Sequence, residues 1–588
     1  MLSLDRPFTY ELDAEVGAVV GSLVRVRFHG KLTRAWVLGP TDDVPTRLLP
    51  VMGLVSPIPA FDERLLELAR WMSERFVAPL AAVLARLGPP RVAGEEAGDT
   101  AEPGMSIAAT PANVPTAQRA SGPLGAYRGA GPLLDGLSGP SGVAPEGFVV
   151  RVAPGEEAGV AVDAVAACLA SGRRAIVVVP EASPVPATAS AILEAFGERA
   201  GSFLGGDRRE RYRRWLEIRA GAYDVVVGTR PAVFAPVAGL GAIVVMREGN
   251  PALREDRAPY AHVRDVALAR ARLEGATAVL TALSPSVEAA SRGLPSVEPE
   301  ARRWPPVEVV RPAPQGRAPR LVAALREARR GFLYAPIPGS GVAARCRSCG
   351  AVAACARCGG VLRLQDDRVA CVVCEAPGAC GTCGAATFGI RPGGAERVEA
   401  WASRDAGARV RRVTRARAPR EGEVLVGGPE VVRDLGAPHL DLVGILDADL
   451  AERRPGIAAR QRALATWTEA AAWAHPNGRV IVQSNRPGDP AIQALVRGNP
   501  DRFHEDERAR RAAAGFPVGA PVFRIEGGPG LEEELAVMRP VSLLVSASEG
   551  RTVCLLALEE RGVPAFGREM RARAARGDVT RVEAEPHL

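Results

Sequence analysis

The chain has 588 residues, 47% of them hydrophobic and 24% charged, with a formal net charge of +7. That composition excludes a disordered chain and provides for several packed domains. No apolar run reaches the roughly 18 residues of a membrane span, and "MLSLDRPFTY" lacks the basic-then-apolar pattern of a secretory signal. The expectation is a soluble, cytoplasmic protein. The positive balance suits a polyanion partner. Lys31 is the only lysine, so nearly all of that charge is arginine. Alongside abundant Ala, Gly and Pro this reads as composition bias, and the arginine excess is weighted down accordingly.

In chain order, "VGSLVRVRFHGKLTRAWVLG" alternates like the strands of a small β-barrel-like domain. "FDERLLELARWMSERFVAPLAAVLARL" follows with helical periodicity, closing a first unit at 1–91. Residues 92–146 turn to Gly, Ala, Pro, Ser and Thr and predict a linker, mostly disordered, with "GPLLDGL" a short ordered stop. From 147 to 315 short apolar runs alternate with helical ones: "FVVRVA", "RAIVVVP", "YDVVVGT", "LGAIVVM", "TAVLTAL". They predict a parallel α/β sheet. A second such lobe starts at 316–342 with "FLYAP", is interrupted by a cysteine-rich module at 343–386, and resumes over 387–515. A small α+β domain is expected at 516–588.

Ten cysteines are present. Cys168 and Cys554 lie alone in apolar runs and read as buried thiols. The other eight form four CxxC pairs between Cys346 and Cys383. A reducing compartment disfavours disulfides, a redox CxxC normally occurs once beside a βαβ unit, and iron–sulfur spacings differ. Two knuckles close one tetrahedral zinc site. Five residues between neighbouring knuckles leave little room for a ribbon hairpin, whereas "GGVLRLQDDRVA" does. A nested arrangement follows: Cys346, Cys349, Cys380 and Cys383 on one ion, Cys355, Cys358, Cys371 and Cys374 on the other. Neither site has a position open for catalysis.

Two tandem α/β lobes suggest a motor, which needs GxxxxGK[ST] after the first strand. That place reads "RVAPGEEAGVA", and Glu156 and Glu157 would repel phosphate.

The cysteine module with its trailing "GGAERVEAW" resembles the primosomal protein N′ (replication restart protein PriA) family in order and spacing. So do "GTRPAVFAPVAGLGAIVV", "APYAHVRDVALARA", "LVGILDADL", "DPAIQAL" and "ERARRAAAGFP", and the similarity runs nearly the whole length. It implies two RecA-like superfamily 2 helicase lobes, with two Zn²⁺ held in an insertion in the second. The chain departs from the family at the motor. The phosphate loop resembling TGSGKT becomes "APGEEA", putting Gly155, Glu156, Glu157 and Ala158 at its core. DEEH becomes "MREG", with Met246 at the Mg²⁺-binding Asp and Arg247 at the catalytic Glu. GSATPS becomes "TALSPS". QVAGRAGR becomes "EAAAWAHP", leaving Trp473 and Pro476 at two arginine positions. Phosphoryl transfer needs the Lys, the Mg²⁺ ligands and the Arg together, so ATP is not expected to be hydrolysed. The pattern resembles the actinobacterial form of the family.

The resemblance also implies that the N-terminal domain captures a 3′ end. Its motif PFDY is here "PFTY", so Thr9 and Tyr10, with the turn at Gly30, are the candidate DNA contacts, and Thr9 lacks the carboxylate that would accept from a terminal hydroxyl. "ARVRRVTRARAPR" contains few acids and offers Arg409, Arg411, Arg412 and Arg415 to phosphates. "GGDRRERYRRW" reads equally as a solvated helix face. The expected function is a replication restart factor without helicase activity of its own. It would bind forked DNA or single-strand/double-strand junctions, near the nucleoid. Its partners would be primosome proteins, the replicative helicase or its loader, and single-strand-binding protein. The alternatives are an active 3′–5′ helicase with unusual motifs and a protein-only zinc-ribbon scaffold.

Overall fold

Buried runs of Val, Ile and Ala set the two large sheets. The computed structural model describes residues 5–46, 48–96, 122–139, 146–301, 303–312, 317–392, 394–453, 456–548 and 551–586. In the first lobe the strands lie side by side in the order Tyr127–Arg128, Ser296–Pro299, Gly147–Arg151, Thr277–Ala282, Leu240–Val245, Arg174–Val178, Val225–Gly228 and Ala200–Phe203. All pairings are parallel except that of the short Tyr127–Arg128 edge. The central strands are buried on both faces, which explains their unbroken apolar sequence. The second lobe is an all-parallel sheet in the order Val307–Val310, Ala474–Gln483, Leu440–Ile445, Arg330–Tyr334, Glu423–Gly427, Arg409–Arg412.

Between Arg330–Tyr334 and the helix Ala395–Asp405 the chain leaves this sheet to build an antiparallel one. Its strands are Arg368–Cys371, Leu362–Gln365, Gly341–Cys346 and Phe388–Pro392. The C-terminal unit is a four-stranded antiparallel sheet with the helix Val563–Arg576 packed on it.

At the N-terminus Leu23–Phe28 pairs with Lys31–Trp36 and Gly53–Leu54 in a three-stranded antiparallel sheet. His29 and Gly30 turn the hairpin with φ of 47° and 77°; two positive φ values in a two-residue loop match the right-handed twist of the strands. The helix Glu63–Arg75 starts at Asp62, whose carboxylate accepts from the Leu65 N–H at 2.9 Å. It buries Leu65, Leu66, Leu68, Ala69 and Met72 in a core shared with the first lobe and the C-terminal unit. Each fully buried Leu or Met there contributes about 1.5–3 kcal/mol, so the N-terminal helix joins these units.

The expected linker needs correction in two places. Ala93–Glu96 forms a short helix, and its Glu96 accepts from Ser56 at 2.9 Å and Tyr212 at 2.6 Å. Pro123–Ser138 belongs to the first lobe: Tyr127–Arg128 is its edge strand, and Ala130–Ser138, containing "GPLLDGL", is a full helix burying Leu133 and Leu137. The rest of that stretch, 97–121 and 140–145, lies outside the described residues.

Candidate functional site

The four CxxC knuckles share one local geometry. In each, the first cysteine's carbonyl accepts from the residue after the second cysteine: Gly350 at 3.0 Å, Gly359 at 2.9 Å, Glu375 at 3.2 Å and Gly384 at 2.8 Å. All four of those residues have positive φ, which Gly accommodates without a Cβ clash. The closure folds both thiols to one side. Sequence spacing pointed to the cysteines; the glycine following three of the four pairs is a signal the reading passed over.

The structure brings Cys346, Cys349, Cys380 and Cys383 together, and separately Cys355, Cys358, Cys371 and Cys374. Sγ–Sγ separations are 3.7 Å for Cys346–Cys383, 3.8 Å for Cys349–Cys380 and 3.7 Å for Cys355–Cys374, with Cys358 closer, at 3.4 Å from both Cys371 and Cys374. A tetrahedron with metal–sulfur bonds of about 2.3 Å has edges of about 3.8 Å, so each set fits a four-thiolate ion. N–H groups of Thr382 and Cys383 pull the Cys380 thiol down to about 6, and that of Ala376 pulls Cys374 down to about 7. In the same sets Cys383, through hydrogen bonds to the other thiols, and Cys358, through burial and hydrogen bonds to Cys374 and Cys371, are pushed up to about 12, so the protons are divided within each cluster. The two sets are bridged through Cys355 and Cys380, with Ala356 N–H on the Ala379 carbonyl and Gly381 N–H on that of Ala354.

The second site lies at the carboxyl ends of the first lobe's strands, where open α/β sheets bind ligands. Here it is filled by the chain itself. Tyr127 takes the Ala153 N–H on its hydroxyl at 2.9 Å and donates to Glu156 at 2.7 Å. Glu156 also pairs with Arg303. Gly155 has φ of 78°, and a side chain there would meet Ala437 of the other lobe. Ala158 continues in the helix Glu157–Ala170. Arg247 holds Glu157 by two bonds of 3.1 Å, reaches Glu469 of the second lobe at 3.2 Å, and lies 3.9 Å from Asp434. Burial and the neighbouring Glu157 and Glu181 push the Glu469 carboxyl up to about 7, although Arg247 opposes them. Burial likewise raises Glu157.

Met246 packs into the lobe core, its sulfur 3.4 Å from the Thr281 hydroxyl. Glu248 is fully buried and accepts from Arg264 and from both the N–H and hydroxyl of Ser286. Trp473 is buried against Phe332, ring centroids 4.9 Å apart. Pro476 is exposed at the start of its strand.

On the N-terminal sheet the Thr9 hydroxyl donates to the Asp43 carbonyl at 3.1 Å and the Tyr10 hydroxyl to that of Arg27 at 3.1 Å. Phe8 sits edge-on to Phe28 with Arg6 over its ring. Gly30 faces open space. Arg25 lies directly across from Arg34, with Arg27 two residues along on the same face and Lys31 in the turn-proximal position. All four are exposed, and among the described residues none pairs with a carboxylate. The reading from sequence missed this strip because strand partners are invisible without the register.

Arg409, Arg411 and Arg412 lie on the second lobe's edge strand. Arg412 is held by Glu396 and Glu399, and Arg411 lies 3.9 Å from Glu423. Arg409 and Arg415 are exposed without a carboxylate partner among the described residues.

Two parallel lobes meeting across such a cleft, with a pair of tetracysteine clusters suited to metal binding inserted in the second, give the chain a helicase-like fold. Residues 1–89 match the family described as the 3′ DNA-binding domain of PriA. Over 90% of its length the chain is 28% identical to the probable replication restart protein PriA of Mycobacterium leprae, covering 87% of that protein. It is also 28% identical to the replication restart protein PriA of Treponema pallidum, over 87% of this chain and 83% of that one. The similarity to these PriA proteins thus runs along nearly the whole length of the chain. Among solved structures, S. cerevisiae Dbp5 bound to RNA and ADP BeF3 aligns with 65% of this chain and 96% of its own, at 11% identity and a TM-score of 0.35, an overlap too loose to build on.

Proposed function

We propose that this chain is a replication restart factor that binds forked DNA and supports primosome assembly and helicase loading without turning over ATP. The observation that carries the DNA-binding part is the Arg25–Arg34 pair. Like charges directly opposite on a sheet are destabilising, and Arg27 adds to the cost on the same face. A phosphate backbone neutralises such a strip, and the match to a 3′ DNA-binding domain supports that choice of anion. Zinc suits both tetracysteine sets, which would hold the module rigid as a contact platform for DNA or primosome proteins. The degenerate cleft supports the absence of ATP turnover: its loop carries Glu156 and Glu157 and no lysine, Glu157 is taken up by Arg247, and Met246 offers no Mg²⁺ ligand.

Fluorescence anisotropy tests the reading. Zinc-loaded protein is titrated, without ATP, with a fork carrying a leading-strand 3′ end and with linear duplex of equal length, over a salt series. Fork preference is expected. Equal or absent binding overturns the restart reading, and DNA-stimulated phosphate release overturns the absence of turnover.

A further inference from the structure

The cleft between the lobes is where a helicase-like fold uses a bound nucleotide to draw its halves together. In this chain the halves are already joined there. Arg247 is only 5% exposed and emerges from the first lobe with φ of 51°. Its guanidinium binds Glu157 of its own lobe and Glu469 of the other, with Asp434 adjoining. Asp434, again from the second lobe, caps the first lobe's helix Ala187–Phe196: its carbonyl accepts from the Ala187 N–H at 3.1 Å and its carboxylate from the Thr188 N–H at 2.9 Å. Arg433 beside it lies 3.5 Å from Glu181 of the first lobe. A second contact lies nearby, where Gln461 and Arg511 of the second lobe hold Glu288 of the first.

We propose that Arg247 is a clasp that holds the two lobes closed without nucleotide, making it a positioning residue for the DNA-binding frame. A guanidinium shared between carboxylates of both lobes supplies the bridging charge in the interior, where such pairs are screened least. The geometry of the lobes is then built into the chain instead of being cycled. This rests on the reading that the cleft does not turn over ATP.

Hydrogen–deuterium exchange on the full zinc-loaded chain tests it, because the Ala187 and Thr188 amides report lobe contact directly. The wild type is expected to protect them equally with and without Mg-ATP. Arg247→Ala is expected to speed their exchange at least tenfold. Glu469→Ala, which leaves the Arg247–Glu157 pair intact within one lobe, guards against simple misfolding and is expected to loosen the same amides while the first lobe's central strands stay protected. Unchanged exchange in both Arg247→Ala and Glu469→Ala overturns the clasp. Protection that appears only on adding Mg-ATP overturns it too. Phosphate release with the amides protected throughout overturns only the functional reading beneath it.

Discussion

Arg247 and Glu157 are joined side by side, Nε to Oε1 and Nη2 to Oε2, each at 3.1 Å. By the family resemblance these positions carry the opposite charges, Lys at the phosphate loop and Glu after the fifth strand. The exchange keeps an opposite-charge pair at these two positions, whereas either change alone would set like charges side by side. Removing one partner of a buried pair costs about 3–5 kcal/mol. Arg247→Ala leaves Glu157, Glu469 and Asp434 facing one another, while Glu157→Gln leaves Arg247 with two carboxylates. Calorimetry is therefore expected to rank Arg247→Ala as clearly the more destabilising. Equal losses would mean the cluster does not act as a unit.

Lobe contact is expected to weaken as pH rises. The Glu469 carboxyl faces Glu157 and Glu181 as well as Arg247 and Arg433, and burial lifts it to about 7. The closed form therefore binds a proton that an open form releases. Its contribution is complete below the ordinary carboxylate range and is lost as pH climbs through about 7. Glu157 shifts in the same direction. The effect is on the order of 1–3 kcal/mol. Exchange at Ala187 and Thr188, corrected for intrinsic rates, should be better protected at pH 6 than at pH 8. Glu469→Gln should flatten the difference; a profile that rises with pH would contradict the assignment.

Local chemistry was legible in the sequence where it closes locally. A CxxC pair fixes its own knuckle, so the cysteine sets could be read from spacing alone. The Arg247–Glu157 exchange was visible only as two separate losses, because a contact between residues 90 positions apart leaves no periodic trace. Tyr127 was hidden in a stretch whose composition reads as linker. There a single aromatic supplies the hydroxyl that satisfies the Ala153 N–H. The arginine run at Arg409–Arg412 looked acid-poor because its counter-charges, Glu396, Glu399 and Glu423, come from a helix and a neighbouring strand.

The cysteine module should bind two metal ions per chain, measurable by plasma mass spectrometry after gel filtration. Cys358→Ser removes a ligand of the inner set only. One ion is expected to remain. It should be lost to a chelator faster than in wild type, since the two sets share the Cys355–Cys380 bridge. Retention of two ions would show that Cys358 is not a ligand.

Glu375 closes its knuckle at φ of 56°, where the other three have glycine. A non-glycine residue in the left-handed region costs roughly 1–2 kcal/mol. Glu375→Gly removes that strain while adding backbone freedom to the unfolded chain, which offsets part of it. A net gain of about 0.5–1 kcal/mol should appear as slower metal release to a chelator. Faster release would mean that the carboxylate itself supports the knuckle.

Arg25 and Arg34 separate binding from stability. Because they oppose each other without an acid, Arg34→Ala relieves repulsion, and its melting temperature is expected to match or exceed wild type. DNA affinity should fall in the same variant. If Arg34 neutralises one phosphate, the slope of log affinity against log salt drops by roughly 0.7–0.9. Restoring charge with Arg34→Lys should restore the slope, because a point charge suffices for phosphate neutralisation. A loss of affinity with the slope unchanged would place Arg34 outside the phosphate contacts. A fall in melting temperature would show that the strip is structural instead.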